Sequence, residues 1–234
     1  MPGSGVEPRH QPLQRPLLVG LAVGFAAALF GLAFAELAGE VAEGDTRSFD
    51  TALLHFAQSL PGAHPWAMDV MRDLSSLGST TALTLLTVFS VGFLLIVQAR
   101  RTAVLVLASV VSGLVVVSVF KTVFGRLRPD PSFAHVMVTG LSFPSGHASM
   151  SAIVFLTLGA LIASTRSRMA ERSFILAAAV LSTVLVGVSR VALGVHWATD
   201  VLGGWAFGAG WALVWLLLDR WLGNRSAPAI PIPP

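Results

Sequence analysis

The stretch Thr102-Ala-Val-Leu-Val-Leu-Ala-Ser-Val-Val-Ser-Gly-Leu-Val-Val-Val-Ser-Val-Phe120 decides the fold class, and the segment directly after it, Lys121-Thr-Val-Phe-Gly-Arg-Leu-Arg128-Pro129, points to the chemistry. Residues 102–120 carry no charge. A helix of about 20 such residues crosses the hydrocarbon core of a bilayer. Five further apolar stretches of similar kind lie on either side: Pro16–Gly39, Ser79–Ala99, Ala148–Thr165, Ser173–Ser189 and Val201–Leu218. The pattern predicts an all-α fold, a six-transmembrane-helix bundle over residues 16–225. The first stretch is too long, and lacks a clear small-x-small site, for a cleavable signal. Residues 1–15 and the Pro-rich tail 226–234 read as disordered.

Composition agrees. Hydrophobic residues make up 54% of the chain against 12% charged, and mean hydropathy is +0.77, more apolar surface than a soluble domain can hide. Cysteine is absent, which excludes a disulfide framework and a thiolate metal site. The net charge of +3 does not mark a nucleic-acid binder, because the arginines cluster at the ends of apolar runs.

Those arginines set an orientation. Arg9 and Arg15, Arg100 and Arg101, Arg166, Arg168 and Arg172, and Arg220 and Arg225 all fall on one side of an alternating six-span path. The positive-inside rule makes that side, with both termini, cytoplasmic in a cell-membrane protein. The other side receives Glu40–Gly78, with six acidic residues and two arginines. Within it Phe49, Leu53, Leu54, Phe56 and Ala57 predict a short interfacial amphipathic helix between spans one and two.

Lys121, Arg126 and Arg128 break the rule by following span three on the outer side. Two more segments join them on that face: Phe143-Pro144-Ser145-Gly146-His147 before span four, and Ser189-Arg190-Val-Ala-Leu-Gly-Val-His196-Trp-Ala-Thr-Asp200 between spans five and six. Lys121, Arg128 and Arg190 suit a phosphate dianion and its transition-state charge. Ser145-Gly146 opens a helix whose free N–H groups favour an anion. Asp200, four residues after His196, can fix the imidazole tautomer and leave the other ring nitrogen to attack phosphorus. His147 can protonate the departing alkoxide. His147, His196 and Asp200 could also be weighed as metal ligands, but the surrounding cations oppose that; no metal and no cofactor is expected. His10, His55, His64 and His135 read as core or interface residues, Gly204-x-x-x-Gly208 as close packing within the monomer, and the tryptophans as interface belt and packing.

At these residues the chain resembles the type 2 phosphatidic acid phosphatase (PAP2) superfamily, whose signature is Lys-x6-Arg-Pro, Pro-Ser-Gly-His and Ser-Arg-x5-His-x3-Asp. Lys121 with Arg128-Pro129, Pro144 to His147, and Ser189-Arg190 with His196 and Asp200 match every part. The resemblance implies a metal-independent membrane lipid phosphatase with a phosphohistidine intermediate on His196, His147 as acid–base, and phosphate held by Lys121, Arg128, Ser145, Gly146 and Arg190. Arg126 lies outside the signature and is expected to face lipid headgroups. Two alternatives use the same cations: phosphotransfer to another acceptor, and a non-enzymatic anion transporter. The residues carry no code for the lipid or for the oligomeric state; polyprenyl pyrophosphate or phosphatidylglycerol phosphate is expected ahead of phosphatidic acid.

Overall fold

The computed structural model describes residues 14–59 and 66–225. The expectations for residues 1–13, for the tail from 226, and for Arg9, His10 and His64 lie outside the described residues. The chain runs α1 (Gln14–Glu43), α2 (Arg47–Ser59), α3 (Trp66–Ser76), α4 (Thr80–Ile96), α5 (Arg100–Phe124), a 3-10 turn (Pro131–Phe133), α6 (Gly146–Ser164), α7 (Met169–Ala192) and α8 (Ala198–Arg225). Among the described residues six helical segments are long and apolar enough to cross a membrane, with α3 and α4 counted as one. The predicted bundle is therefore present.

Every spanning helix except α4, which lies inside its window, outruns its apolar window by a few residues or starts earlier. Hydropathy windows stop at the first charges, whereas the backbone hydrogen-bond ladder continues through them. Two consequences matter for the site. Lys121 stands in the last turn of α5, not after it, and Arg190 stands in the last turn of α7. Gln14 and Arg15, read as part of a disordered terminus, already belong to α1.

The amphipathic segment forms α2, with Asp50 and Leu54 buried and Phe49 and Phe56 exposed. A second short helix, α3, was not expected. Its Met68 and Met71, three apart, pack against Leu193 and Val195, while Asp69, Arg72 and Asp73 break up the apolar signal in sequence. Leu77–Ser79 then turn the chain into α4, which Ser79 caps through its hydroxyl on the Ala82 N–H at 3.2 Å.

The bundle is organised on α6, whose Ala148, Ser149, Ala152, Ile153 and Val154 are all buried. Small residues let α8 approach it closely: a Cβ on Gly208 would lie 2.5 Å from the Ser149 carbonyl oxygen, and one on Gly204 2.9 Å from the Ala148 Cβ. The Gly204-x-x-x-Gly208 stripe thus packs within the monomer, as expected. Thr87 and Thr183 satisfy their buried hydroxyls one turn back, on the Leu83 (2.7 Å) and Ala179 (2.9 Å) carbonyls, because lipid offers no partner, whereas the buried hydroxyls of Ser109 and Thr157 have none among the described residues. Trp205 and Trp211 donate their indole N–H to the Thr183 and Ser109 carbonyls at 3.1 and 3.0 Å, the packing role expected for them.

Candidate active site

The up-and-down path brings the C-terminal ends of α5 and α7 beside the N-terminal ends of α6 and α8. The first pair carries Lys121 and Arg190, and the second His147 and Asp200. Cations at helix C-termini and an acid at a helix N-terminus each agree with the helix dipole, so the arrangement is favoured locally before any ligand arrives. His196 hangs from the short loop between α7 and α8. That loop turns at Gly194, whose φ of +70° and whose Cα, where a Cβ would sit 1.9 Å from the Phe133 carbonyl oxygen, admit no side chain.

Asp200 orients His196. Its Oδ2 accepts from His196 Nδ1 at 3.1 Å, from the Trp197 N–H at 2.9 Å and from the Ser142 hydroxyl. The Trp197 contact is the reach-back half of a capping box, from the third residue of α8 to its N-cap. With the Nδ1 proton held by the carboxylate, Nε2 keeps its lone pair, which lies 2.9 Å from Arg128 Nη1. The ring is 1% exposed. Burial, with Arg128 and Arg190 adding to it against the pull of Asp200, lowers the His196 pKa to about 4. At neutral pH the imidazole is therefore uncharged, with a free lone pair toward the cations.

The cations are held by backbone oxygens. Arg128 donates to the carbonyls of Val195 (2.7 Å) and Gly140 (3.0 Å), and Lys121 Nζ to those of Leu141 (2.8 Å) and Ser142 (3.3 Å). Arg190 donates through Nη1 to the Ser75 hydroxyl at 2.6 Å, and its buried Nε has no hydrogen-bond partner among the described residues. An unmatched donor on a buried guanidinium is costly unless an anion completes it. His147, Arg190, Ser75 and Arg72 line one side of a cavity of about 270 Å³, with Val136, Val138 and Leu193 on the rest. Ser145 accepts from the Ala148 N–H at 3.5 Å as N-cap of α6, while its own N–H donates to the Asp200 carbonyl at 2.9 Å. Ser145 thus ties α6 to α8 and leaves the first turn of α6, with Gly146, facing the cations. No group of three or more His, Cys, Asp or Glu arranged to hold a metal occurs among the described residues.

All eight expected site residues therefore converge on one end of the bundle. Arg126 corrects the expectation that it faces lipid headgroups: it is mostly buried and pairs with both Asp50 (2.5 Å) and Asp200 (2.7 Å). Its side chain has to satisfy two carboxylates that sequence spacing does not connect. Ser142, Thr199, Asp50 and Ser75 were missed. Only Asp50 left a signal, since it shares the buried face of α2 with Leu54 at i, i+4. His55 and His135 are exposed rather than in the core and stand outside the site, His55 edge-on to Phe133 and His135 hydrogen-bonded to Gln58 Oε1 at 2.9 Å.

This geometry can be set against known proteins. The sequence profile of the PAP2 superfamily matches residues 102–223. The chain belongs to the PAP2 superfamily. As a PAP2 enzyme it is a multi-pass membrane hydrolase of phosphoric ester bonds. It is 31% identical over 181 residues to phosphatidylglycerophosphatase B of Bacillus subtilis, covering 76% of this chain and 86% of that one. It is 32% identical over 117 residues to an undecaprenyl-diphosphatase of Sulfolobus acidocaldarius, covering 48% and 52%. The crystal structure of a transmembrane PAP2-type phosphatidylglycerolphosphate phosphatase from Bacillus subtilis superposes with a TM-score of 0.77 at 28% identity, over 87% of this chain and all of that one. The PAP2 profile starts inside α5, so α1 to α4, including Asp50 and Ser75, lie outside it.

Proposed function

We propose that this PAP2 enzyme hydrolyses a lipid phosphate or pyrophosphate through a phosphohistidine on His196. The observation that carries the reading is the position of His147. It lines the cavity with Arg190 and also an apolar cleft of about 180 Å³ between α4, α5 and α6, whose walls include Leu83, Thr84, Leu114 and Val117 together with Lys121 and Gly146. A phosphate in the cavity thus has room for an attached hydrocarbon chain in the cleft, which suits an amphiphile presented from the bilayer.

The chemistry follows from the residues. The incoming phosphate draws Arg128 off His196 Nε2 and takes donors from Lys121, Arg190 and the first turn of α6. Nε2 then attacks phosphorus, the ester P–O bond breaks, and His147 gives its proton to the departing alkoxide. His147, now neutral, accepts a proton from water as that water attacks the phosphohistidine, which releases inorganic phosphate and restores both rings. Asp200 stabilises the imidazolium while it carries charge. The relatives' names favour phosphatidylglycerol phosphate and polyprenyl pyrophosphate as substrates.

A phosphate-release panel of those two lipids and phosphatidic acid in mixed micelles, without divalent metal, tests the reading; absence of release from all three would refute it. Within the panel Thr84→Trp, which fills the cleft, is expected to raise KM for long-chain lipids about tenfold, or about 1.4 kcal/mol. It should leave a short water-soluble phosphate ester unaffected, and an equal effect on both would remove the cleft from the account.

The site is inferred to open on the outer face of the cytoplasmic membrane, since Arg100, Arg101, Arg166, Arg168 and Arg220 lie at the opposite end of the bundle. Met137 is exposed at the cavity rim. In this cysteine-free chain Met137→Cys is expected to react with a membrane-impermeant maleimide on intact cells. Labelling only after permeabilisation would reverse the orientation.

A further inference from the structure

Arg126 and Asp50 take no part in the mechanism above, yet they form a densely bonded, buried polar cluster. Arg126 Nη1 donates to Asp200 Oδ1 at 2.7 Å and to the Thr199 hydroxyl oxygen at 2.8 Å. Its Nη2 donates to Asp50 Oδ2 at 2.5 Å and to the Thr46 hydroxyl oxygen at 3.3 Å. Asp50, from α2, accepts the Thr199 N–H on Oδ1 at 2.9 Å and the Thr199 hydroxyl on Oδ2 at 2.6 Å. Asp50 thus caps α8 from another helix, at an N-terminus whose own N-cap, Trp197, has no oxygen to offer. The carboxylates are 1% and 0% exposed. Burying them with a guanidinium costs several kcal/mol per ion before their attraction is counted, a poor way to fill space.

We propose that Arg126 and Asp50 are a positioning pair: together they fix Asp200, and through it the ring of His196, so that α2 holds the nucleophile in register. The inference rests on the reading of His196 as nucleophile. Neither residue reaches the reacting atoms. Asp200 has its two oxygens assigned to opposite tasks, Oδ2 to His196, Ser142 and Trp197 and Oδ1 to Arg126. The two Nη groups of the planar fork make four contacts, to two carboxylates and two hydroxyls, more than the three N–H of a single ammonium can supply, so lysine is not an equivalent substitute.

The charges give opposite signs for the two partners. The groups facing His196 are Asp200 from α8, Arg128 from the loop after α5, Arg190 from α7 and His147 from α6. Arg126 is next to Asp200, and Asp50 offsets Arg126. Asp50→Asn leaves Arg126 to neutralise Asp200 alone, which weakens its hold on a charged His196 and moves the acid limb of kcat/KM to lower pH. Arg126→Gln removes the neutralising cation and moves the limb to higher pH.

The test measures kcat, KM and the pH profile of phosphate release from phosphatidylglycerol phosphate micelles for the wild type, His196→Ala, Asp50→Asn, Arg126→Lys and Arg126→Gln, with a thermal melt of each in detergent. Expected are a fall in kcat of about 10- to 100-fold in the three pair variants, the scale seen when a partner orienting a functional group is lost, with KM little changed. The acid limb should shift in opposite directions for Asp50→Asn and Arg126→Gln, and Arg126→Lys should fail to restore kcat. If His196→Ala keeps its activity, the reading of the nucleophile fails. If His196→Ala is inactive while Asp50→Asn keeps the wild-type kcat and pH profile, or loses activity only as its folded fraction falls, the positioning role is overturned and the nucleophile stands. Should Arg126→Gln not fold, Asp50→Asn and Arg126→Lys decide the question.

Discussion

His196→Ala is expected to lower lipid-phosphate turnover by about 10⁴-fold or more, since a covalent route cannot survive loss of its nucleophile and the remaining cations supply only binding. The folded state should not suffer in proportion. The ring is buried, but alanine leaves Ser142 and the Trp197 N–H on Asp200, and Arg126 on its other oxygen, so the carboxylate stays satisfied. The measurement is the steady-state rate together with binding of inorganic phosphate, which should persist because Lys121, Arg128 and Arg190 are untouched. A variant that keeps more than a few per cent of the wild-type rate would place the nucleophile elsewhere.

Asp200→Asn is expected to cost nearly as much, about 10⁴-fold in kcat, although it removes no reacting atom. The reason is tautomeric. If the new amide NH2 faces His196, Nδ1 becomes an acceptor and the ring proton moves to Nε2, where it meets the Arg128 guanidinium and no lone pair remains. If the amide is flipped, its NH2 faces Arg126 Nη1, donor against donor. Both orientations spoil the site while volume is unchanged. Steady-state kcat with the melt as control checks this, and a wild-type kcat would show that the tautomer is set by something other than Asp200.

Much of this was legible in the sequence, for identifiable reasons. Spans such as 102–120 announce themselves because a bilayer demands long uncharged runs, and Lys121, Arg126 and Arg128 stand out because they follow a span on the outer side, against the charge rule that the arginines at the cytoplasmic span ends obey. The pairing of His196 with Asp200 follows from a fixed offset of four at a helix start. What stayed hidden depends on contacts between distant parts of the chain. Asp50 meets Thr199 across 149 positions and Arg190 meets Ser75 across 115, and no local period encodes either. Arg126 was misjudged for the same reason: beside Arg128 it looks like one more interfacial cation, and only the fold brings Asp50 and Asp200 to either side of its fork. The helix α3 escaped because its apolar residues make a single short stripe between charges.

The central claim is the covalent intermediate, and trapping it tests that claim most directly. Purified protein mixed for milliseconds with lipid labelled in its terminal phosphate, then quenched in base to preserve an acid-labile phosphoramidate, is expected to carry label on the peptide containing His196. The label should be absent in His196→Ala and lost by the wild type on acid treatment. Full wild-type turnover with no trapped label at any mixing time, or label on a different residue, would contradict the account.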